Sequence, residues 1–391
     1  MEAKENDIIK ICVNLLESNH NLILTGAPGT GKTYLAKEIA KKMGCNDDEI
    51  GFVQFHPSYD YTDFVEGLRP IQDENGTVGF ERKDGVFKEF CKIALNSSVK
   101  HTFYSLTKKL ENGYILKLLG GADANIIYKD GLIKADEKDP KEYPYTIECS
   151  KIETLMNKCK GESINGLNKI KENIHLSNDK EASYYWAVYD YIRNNINPFV
   201  FIIDEINRGE ISKIFGELFF SIDPGYRGKK GKVRTQYANM QSVPNEFDEA
   251  LGITDTNNYG HFYIPENVYI IGTMNDIDRS VESMDFAFRR RFAFKEVTAK
   301  DSQSMFDNEE VWKDKDGNLV KPDIDDLKNR MDKLNNAISQ IDGLSSAYHI
   351  GGSYFLKLNN YDGNSDEKFK KLWNYHIEGL LREYLRWKPR D

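Results

Sequence analysis

A chain of 391 residues with 40% hydrophobic residues is too long for one ordinary core and suits two or three folding units. Its formal net charge of -9 excludes a general nucleic-acid coat, so any DNA contact must be local. The five cysteines, Cys12, Cys45, Cys91, Cys149 and Cys159, show neither CxxC spacing nor histidine neighbours, which favours reduced thiols and a cytoplasmic location over disulfides or zinc.

In chain order, the first twenty residues read as an amphipathic helix; acids interrupt them and no small-residue cleavage site follows, so a signal peptide is not expected. No apolar run reaches membrane-spanning length, and no membrane partner is expected. The strand candidate NLILT then leads into GAPGTGKT, and YLAKEIAKKM follows with Leu35, Ala36, Ile39, Ala40 and Met43 at helical period. Strand, glycine loop and helix together give the context that the pattern GxxxxGK[ST] requires, met by Gly26, Gly31, Lys32 and Thr33. Glycines let backbone N–H groups turn inward around a phosphate, and the helix N-terminus adds its positive dipole. The stretch Gly26, Ala27, Pro28, Gly29, Thr30, Gly31, Lys32 and Thr33 is therefore the candidate nucleotide cradle. Lys32 neutralises the β and γ oxygens and Thr33 ligates Mg²⁺.

Between Leu95 and Asn197 lies a long interval with strand-like runs first, GYILKLLGG and ANIIYKDGLIKADE, and helical runs after. It reads as an inserted α+β subdomain. Its aromatic stripe, Tyr184, Tyr185, Trp186, Tyr189 and Tyr191, suits core packing or, alternatively, a base-stacking platform.

The apolar run from Pro198 to Ile203 ends in DEINRG. Parallel sheets place such strand ends around a nucleotide, where Asp204 holds Mg²⁺ through water and Glu205 orients or deprotonates the attacking water. The alternative is that both acids cap the helix expected from EISKIFGELFFSI, whose Ile211, Ile214, Phe215, Leu218, Phe219 and Ile222 recur at helical spacing. The basic stretch YRGKKGKVRTQY, carrying Arg227, Lys229, Lys230, Lys232 and Arg234, is either a solvated turn or a face toward DNA or a partner.

A third buried-strand pattern, Val268 to Gly272, turns polar at Thr273 and continues MNDIDRS. Asn275 can reach between a γ-phosphate and the lytic water as both donor and acceptor, although these residue types also suit a turn and a helix cap. Arg289, Arg290 and Arg291 end the next short apolar segment, as dipole partners or as an arginine delivered to a neighbouring subunit's γ-phosphate; the choice among the three stays open. Helical period through Ile324, Leu327, Met331, Leu334, Ile338 and Ile341 marks a small helical domain at the end. Neither HExxH nor a nuclease-like carboxylate set is evident, so DNA cleavage is assigned elsewhere.

GAPGTGKT, FIIDEINRG followed by ISKIFGEL, and TMNDIDRS with DFAFRRRFAF together resemble the AAA+ superfamily, and within it the McrB-like NTPases of methylation-dependent, type IV, restriction systems. VQFHPSYDYTDFVEGLRP, GVFKEFCKIA, YHIGGSYF and LWNYHIEGLLREYL extend the likeness. Two departures stand out: Asp276 and Ile277 replace the middle pair of the family's MNTADRS, and Gly352 stands where a histidine is usual. The resemblance implies an α/β AAA+ P-loop fold with a parallel sheet sandwiched by helices, an inserted α+β subdomain and a helical lid. The expected limits are 1–94 and 198–296 for the two core halves, 95–197 for the insert and 297–391 for the lid. It further implies Mg²⁺-dependent hydrolysis of GTP or ATP in a homo-oligomeric ring, expected as a hexamer, with an McrC-like nuclease subunit and DNA reached through that partner or the insert. Asp278 and Arg279 are implied on the subunit-facing side of the nucleotide site. Only about twenty residues precede the first strand, so methyl-base recognition is expected elsewhere. No guanine-reading NKxD motif is present, which leaves the base open. Two other functions fit the same motifs: a MoxR or dynein-related ATPase that remodels protein complexes, and a nucleotide-gated oligomeric platform.

Overall fold

The computed structural model describes residues 2–72, 76, 78–111, 113–135, 145–159, 163–194, 197–277, 286–313 and 319–386. The elements that organise it are α1 (Glu2–Asn19), β1 (Asn21–Thr25), α2 (Lys32–Lys42), β2 (Ile50–Gln54), α3 (Val86–Glu111), α4 (Asp179–Asn194), β3 (Phe199–Asp204), β4 (Val268–Thr273), β5 (Ala293–Glu296) and α5 (Ile324–Ser339). The five strands form one parallel sheet in the order β5-β1-β4-β3-β2.

Because both faces of such a sheet are covered, its central strands must be apolar at nearly every position. Leu22, Leu24, Val200, Ile202 and Ile271 pack toward Ile9, Cys12 and Leu16 of α1 and Leu35, Ala36 and Ile39 of α2. On the other face Ile23, Phe199, Phe201, Ile203, Val268 and Ile270 meet an aromatic group containing Phe64, Phe87 and Phe215. Phe64 and Phe87 stack with centroids 4.7 Å apart, and Phe201 meets the Phe87 ring edge-on at 4.9 Å.

The interval after the first core half has a core of its own. The 26-residue α3 runs roughly 40 Å; its Phe87, Phe90, Cys91 and Ala94 belong to the sheet's core and its Leu106 and Leu110 to the insert's. Ile126–Lys129 and Leu132–Ala135, within the strand-like run ANIIYKDGLIKADE, form a hairpin around Asp130 (φ 56°) and Gly131 (φ 79°), both in the left-handed region that a two-residue turn requires. The tyrosine stripe on α4 is core: Tyr184, Tyr185 and Tyr189 are fully buried, and Trp186 donates to the Ile164 carbonyl at 2.7 Å. Those rings therefore offer no face to a base.

Two other expectations change. The helix expected after Asp204 breaks at Gly216 into Ile211–Phe215 and Leu218–Ser221, because the chain there adopts φ 50° and a Cβ would meet the Tyr61 ring at 2.9 Å. Its apolar positions still reach the core. The basic stretch divides: Arg227 is buried against Asn21 and Lys229 donates to the Ala250 carbonyl, whereas Lys230, Lys232 and Arg234 are exposed, Arg234 reaching the carbonyls of Asn257 and Tyr259. Burial lowers the Arg227 pKa to about 10.

The closing helical unit buries Trp312, Leu327, Met331, Ile338, Ile350 and Phe355 around α5. No helix among the described residues is long and apolar enough to cross a membrane. Because Phe87 is fully buried between Phe64 and Phe201, Phe87→Ala should destabilise the sheet unit by about 3–5 kcal/mol, read as a lower urea midpoint.

Candidate nucleotide site

All five strands point the same way, so the C-terminal ends of β1, β3 and β4 open on one edge, and the glycine loop leaves β1 there. Gly26 sits at φ 142° with the Val297 carbonyl only 2.3 Å from where a Cβ would lie, so a side chain is excluded. Lys32, at the head of α2, is buried and folds back over the loop. Its ammonium donates to the carbonyls of Gly26 (3.0 Å) and Ala27 (2.9 Å) and to Asn275 Oδ1 (2.8 Å). Burial pulls its pKa down to about 8, against the opposing charges of Asp276, Glu205 and Asp204.

Asn275 joins that lysine to an acid, because its Nδ2 donates to Glu205 Oε1 at 2.7 Å. Its amide therefore links two strand ends rather than making a turn with its own backbone. Glu205 occupies the left-handed region (φ 52°), an unusual conformation for a side-chain-bearing residue, and its other oxygen accepts from Arg208 Nε at 3.2 Å. Asp204 Oδ1 accepts from Thr33 Oγ1 at 2.6 Å and from Thr273 Oγ1 at 2.7 Å, while Thr273 Oγ1 accepts the Glu205 N–H at 3.2 Å. Neither acid makes a side-chain cap: Glu205 stands at the N-cap of the turn Ile206–Arg208, but its carboxylate accepts no backbone N–H there.

Thr33 and Asp204 set a hydroxyl and a carboxylate side by side, a hard-oxygen pair suited to a small divalent cation. Among the described residues no cluster of three or more His, Cys, Asp or Glu could hold a metal, so a cation here would draw its remaining ligands from phosphate and water.

The three arginines separate. Arg291 turns inward, its guanidinium 4.4 Å over the Phe219 ring and its carbonyl accepting from Asn21 Nδ2 at 2.8 Å. Arg289 lies 4.7 Å over the Phe294 ring. Arg290 is exposed and has no side-chain partner among the described residues. Asp278 and Arg279 lie outside the described residues.

Sequence reasoning assigned no role to Thr273, to Arg208 or to the middle pair Asp276 and Ile277. Thr273 was visible only as the polar end of an apolar strand. Asp276 is exposed, yet partial desolvation of its carboxyl raises its pKa against the pull of Lys32, with the Glu296 charge raising it further. Ile277 packs against the lid's core.

Comparison with known proteins agrees with this geometry. The family described as AAA domain (dynein-related subfamily) matches residues 21–138 and 166–292, and the one described as McrB, alpha-helical lid domain matches residues 326–388. The chain is 28% identical over 382 residues to the type IV methyl-directed restriction enzyme EcoKMcrB subunit of Escherichia coli (strain K12), covering 96% of this chain and 56% of that protein. It is 24% identical over 314 residues to the type II restriction enzyme BsuMI component YdiS of Bacillus subtilis (strain 168), covering 80% of this chain and 66% of that protein. The chain thus spans between about half and two thirds of the length of these relatives. A crystal structure of a candidate ATPase from Cytophaga hutchinsonii covers 98% of this chain and 88% of that one at 12% identity, but its TM-score of 0.32 is too low to bear on the fold. With the phosphate loop, the acidic strand end and the sheet order in place, the family match over most of the chain is decisive: it belongs to the AAA domain family, dynein-related subfamily, as an McrB-like AAA+ P-loop NTPase.

Proposed function

We propose that this chain hydrolyses GTP or ATP with Mg²⁺ as the motor subunit of an McrBC-like DNA restriction system, in a homo-oligomeric ring with a separate McrC-like nuclease subunit. The observation that carries the hydrolytic reading is the unbroken path from Lys32 through Asn275 to Glu205, beside the Thr33 and Asp204 pair. The restriction reading is supported by the McrB-type lid and by the two restriction-system relatives.

In this reading a triphosphate gives Lys32 phosphate oxygens in place of the Gly26 and Ala27 carbonyls. Asn275 then holds the γ-phosphate and the attacking water in register, donating to one and accepting from the other. Glu205 takes the proton that water loses as it attacks the γ phosphorus, while the bond to the β–γ bridging oxygen breaks and the nucleoside diphosphate leaves. Thr33 and Asp204 would hold Mg²⁺, which would supply charge neutralisation at the phosphate. Arg290 extends to the neighbouring subunit's γ-phosphate, whereas Arg291 holds its own subunit together.

Glu205→Gln should bind nucleotide normally and lose turnover; normal hydrolysis by that variant would remove Glu205 from the mechanism. Side-by-side turnover with GTP and ATP decides the base, and nuclease activity on DNA after adding the partner subunit tests the restriction reading. Arg290→Ala should lower kcat by about a thousandfold with unchanged stability, while Arg291→Ala should lower the thermal midpoint; the reverse pattern would exchange their roles.

The Lys32 pKa near 8 lies below its ordinary 10.5, so between those values the unfolded chain binds more protons than the folded one. The cost of burying the charged amine is full below pH 8 and is relieved as pH rises through that window, so folding stability rises there. A triphosphate reverses the preference and recaptures the proton. Calorimetry just above pH 8, in two buffers of different ionisation enthalpy, should therefore register proton uptake on binding, fading toward neutral pH. Identical heats in both buffers would rule out Lys32 as the titrating group.

A further inference from the structure

Two backbone hydrogen bonds join the lid to the phosphate loop, in a way that bears on how the loop meets phosphate. Gly351 N–H donates to the Pro28 carbonyl and Ser353 N–H to the Gly29 carbonyl, both at 3.0 Å. A peptide unit is planar, and in the trans form its C=O and N–H point opposite ways; no cis bond occurs among the described residues. Holding the Pro28 carbonyl toward the lid therefore sends the Gly29 N–H to the other side. Holding the Gly29 carbonyl does the same for the Thr30 N–H.

The approach is close enough to demand glycine. A Cβ on Gly351 would lie 2.2 Å from the Gly29 carbonyl carbon and 2.4 Å from the Thr30 nitrogen, all backbone atoms with no room to yield. Gly29 itself sits at φ 75° with the Tyr354 ring 2.6 Å from its Cβ position. Gly352 is equally constrained, since its Cβ would meet the Ser302 carbonyl at 2.6 Å.

The strap is in turn held from behind. Asn335 on α5 bonds both ways to Ile350, accepting its N–H at 2.7 Å and donating to its carbonyl at 3.0 Å. Gly352 N–H donates to Ser302 Oγ at 2.8 Å, and Ser302 Oγ donates to the Ala299 carbonyl at 2.6 Å.

We propose that Gly351 and Ser353 are positioning residues for nucleotide binding: the lid strap Ile350–Ser353 fixes the outer carbonyls of the phosphate loop and thereby aims its inner N–H groups at phosphate. Lid docking and phosphate binding are then one coupled equilibrium, and the coupling is reciprocal. The inference rests on the reading of this loop as the nucleotide site.

The test uses the full chain, fluorescent GTPγS and ATPγS with Mg²⁺, and hydrogen exchange resolved at Gly351 and Ser353. Gly351→Ala should weaken binding at least tenfold. Ser302→Ala, which leaves the loop untouched, should weaken it about threefold to tenfold and speed exchange at both lid amides. In the unmodified chain the bound analogue should slow exchange at Gly351 and Ser353, although neither amide faces the phosphate. Wild-type affinity in a folded Gly351→Ala, or, where that variant does not fold, in Ser302→Ala, would overturn the proposal. Lid amides indifferent to bound analogue would overturn it as well. Failure of the unmodified chain to bind either analogue would instead overturn the nucleotide reading beneath it.

Discussion

An ammonium group in a nearly dry loop is the demand around which this site is arranged. Lys32 is only 7% exposed, and a buried cation must find acceptors for its protons. Two come from the loop's own carbonyls and the third from Asn275, almost 250 residues further along the chain. None of the three is charged. The carboxylates of Asp276, Glu205 and Asp204 act on the lysine from beyond hydrogen-bond reach, so its charge is solvated but not cancelled. Such a group is under-compensated in the way an anion site requires, and phosphate oxygens improve on neutral carbonyls.

The sheet meets that demand because it is parallel. Strands β1, β3 and β4 come from distant parts of the chain, yet their common direction delivers a glycine loop, an acid pair and an amide to one edge. Asn275 gains its second function from the same geometry, since the end of its side chain that does not bond Lys32 aims Glu205. Thr273 secures the arrangement from below by bonding both the Asp204 carboxylate and the Glu205 backbone. Only apolar strands could be packed on both faces, so the polar chemistry is confined to their ends.

The surrounding units divide their work by the cores they possess. The insert closes its aromatic stripe inward around Tyr184, Tyr185 and Tyr189, and reaches the sheet unit chiefly through the continuous helix α3. The lid instead makes direct backbone contact with the phosphate loop and receives Ile277 from the segment after β4. Two separate pieces of the sheet's C-terminal edge thus meet the lid: the loop at Pro28 and Gly29, and Ile277.

Much of the site is legible from local pattern. GAPGTGKT carries its own geometry, because glycine spacing and the helix that follows are properties of neighbouring residues. The apolar runs ending in Asp204, Glu205 and Asn275 announce buried strands with polar ends, and the period through Leu327, Met331 and Ile338 announces α5. Such features depend on contacts within a few residues, and composition and periodicity determine them. What only the tertiary structure decided are relations across long stretches of chain. Gly351 meets Gly29 across more than three hundred residues, Arg227 is drawn from a basic run into the interior to meet Asn21, and of three adjacent arginines Arg291 turns inward while Arg289 and Arg290 stay exposed. Gly216, where the helix after Asp204 breaks, has no room for a Cβ because the Tyr61 ring lies against it, a neighbour 155 positions away that no local period could reveal. The sequence by itself determined which segments could be strand, loop and helix and which residue types could meet phosphate; packing decided which of those residues face one another, because steric exclusion and hydrogen-bond satisfaction are settled only when distant backbones come within a few ångströms.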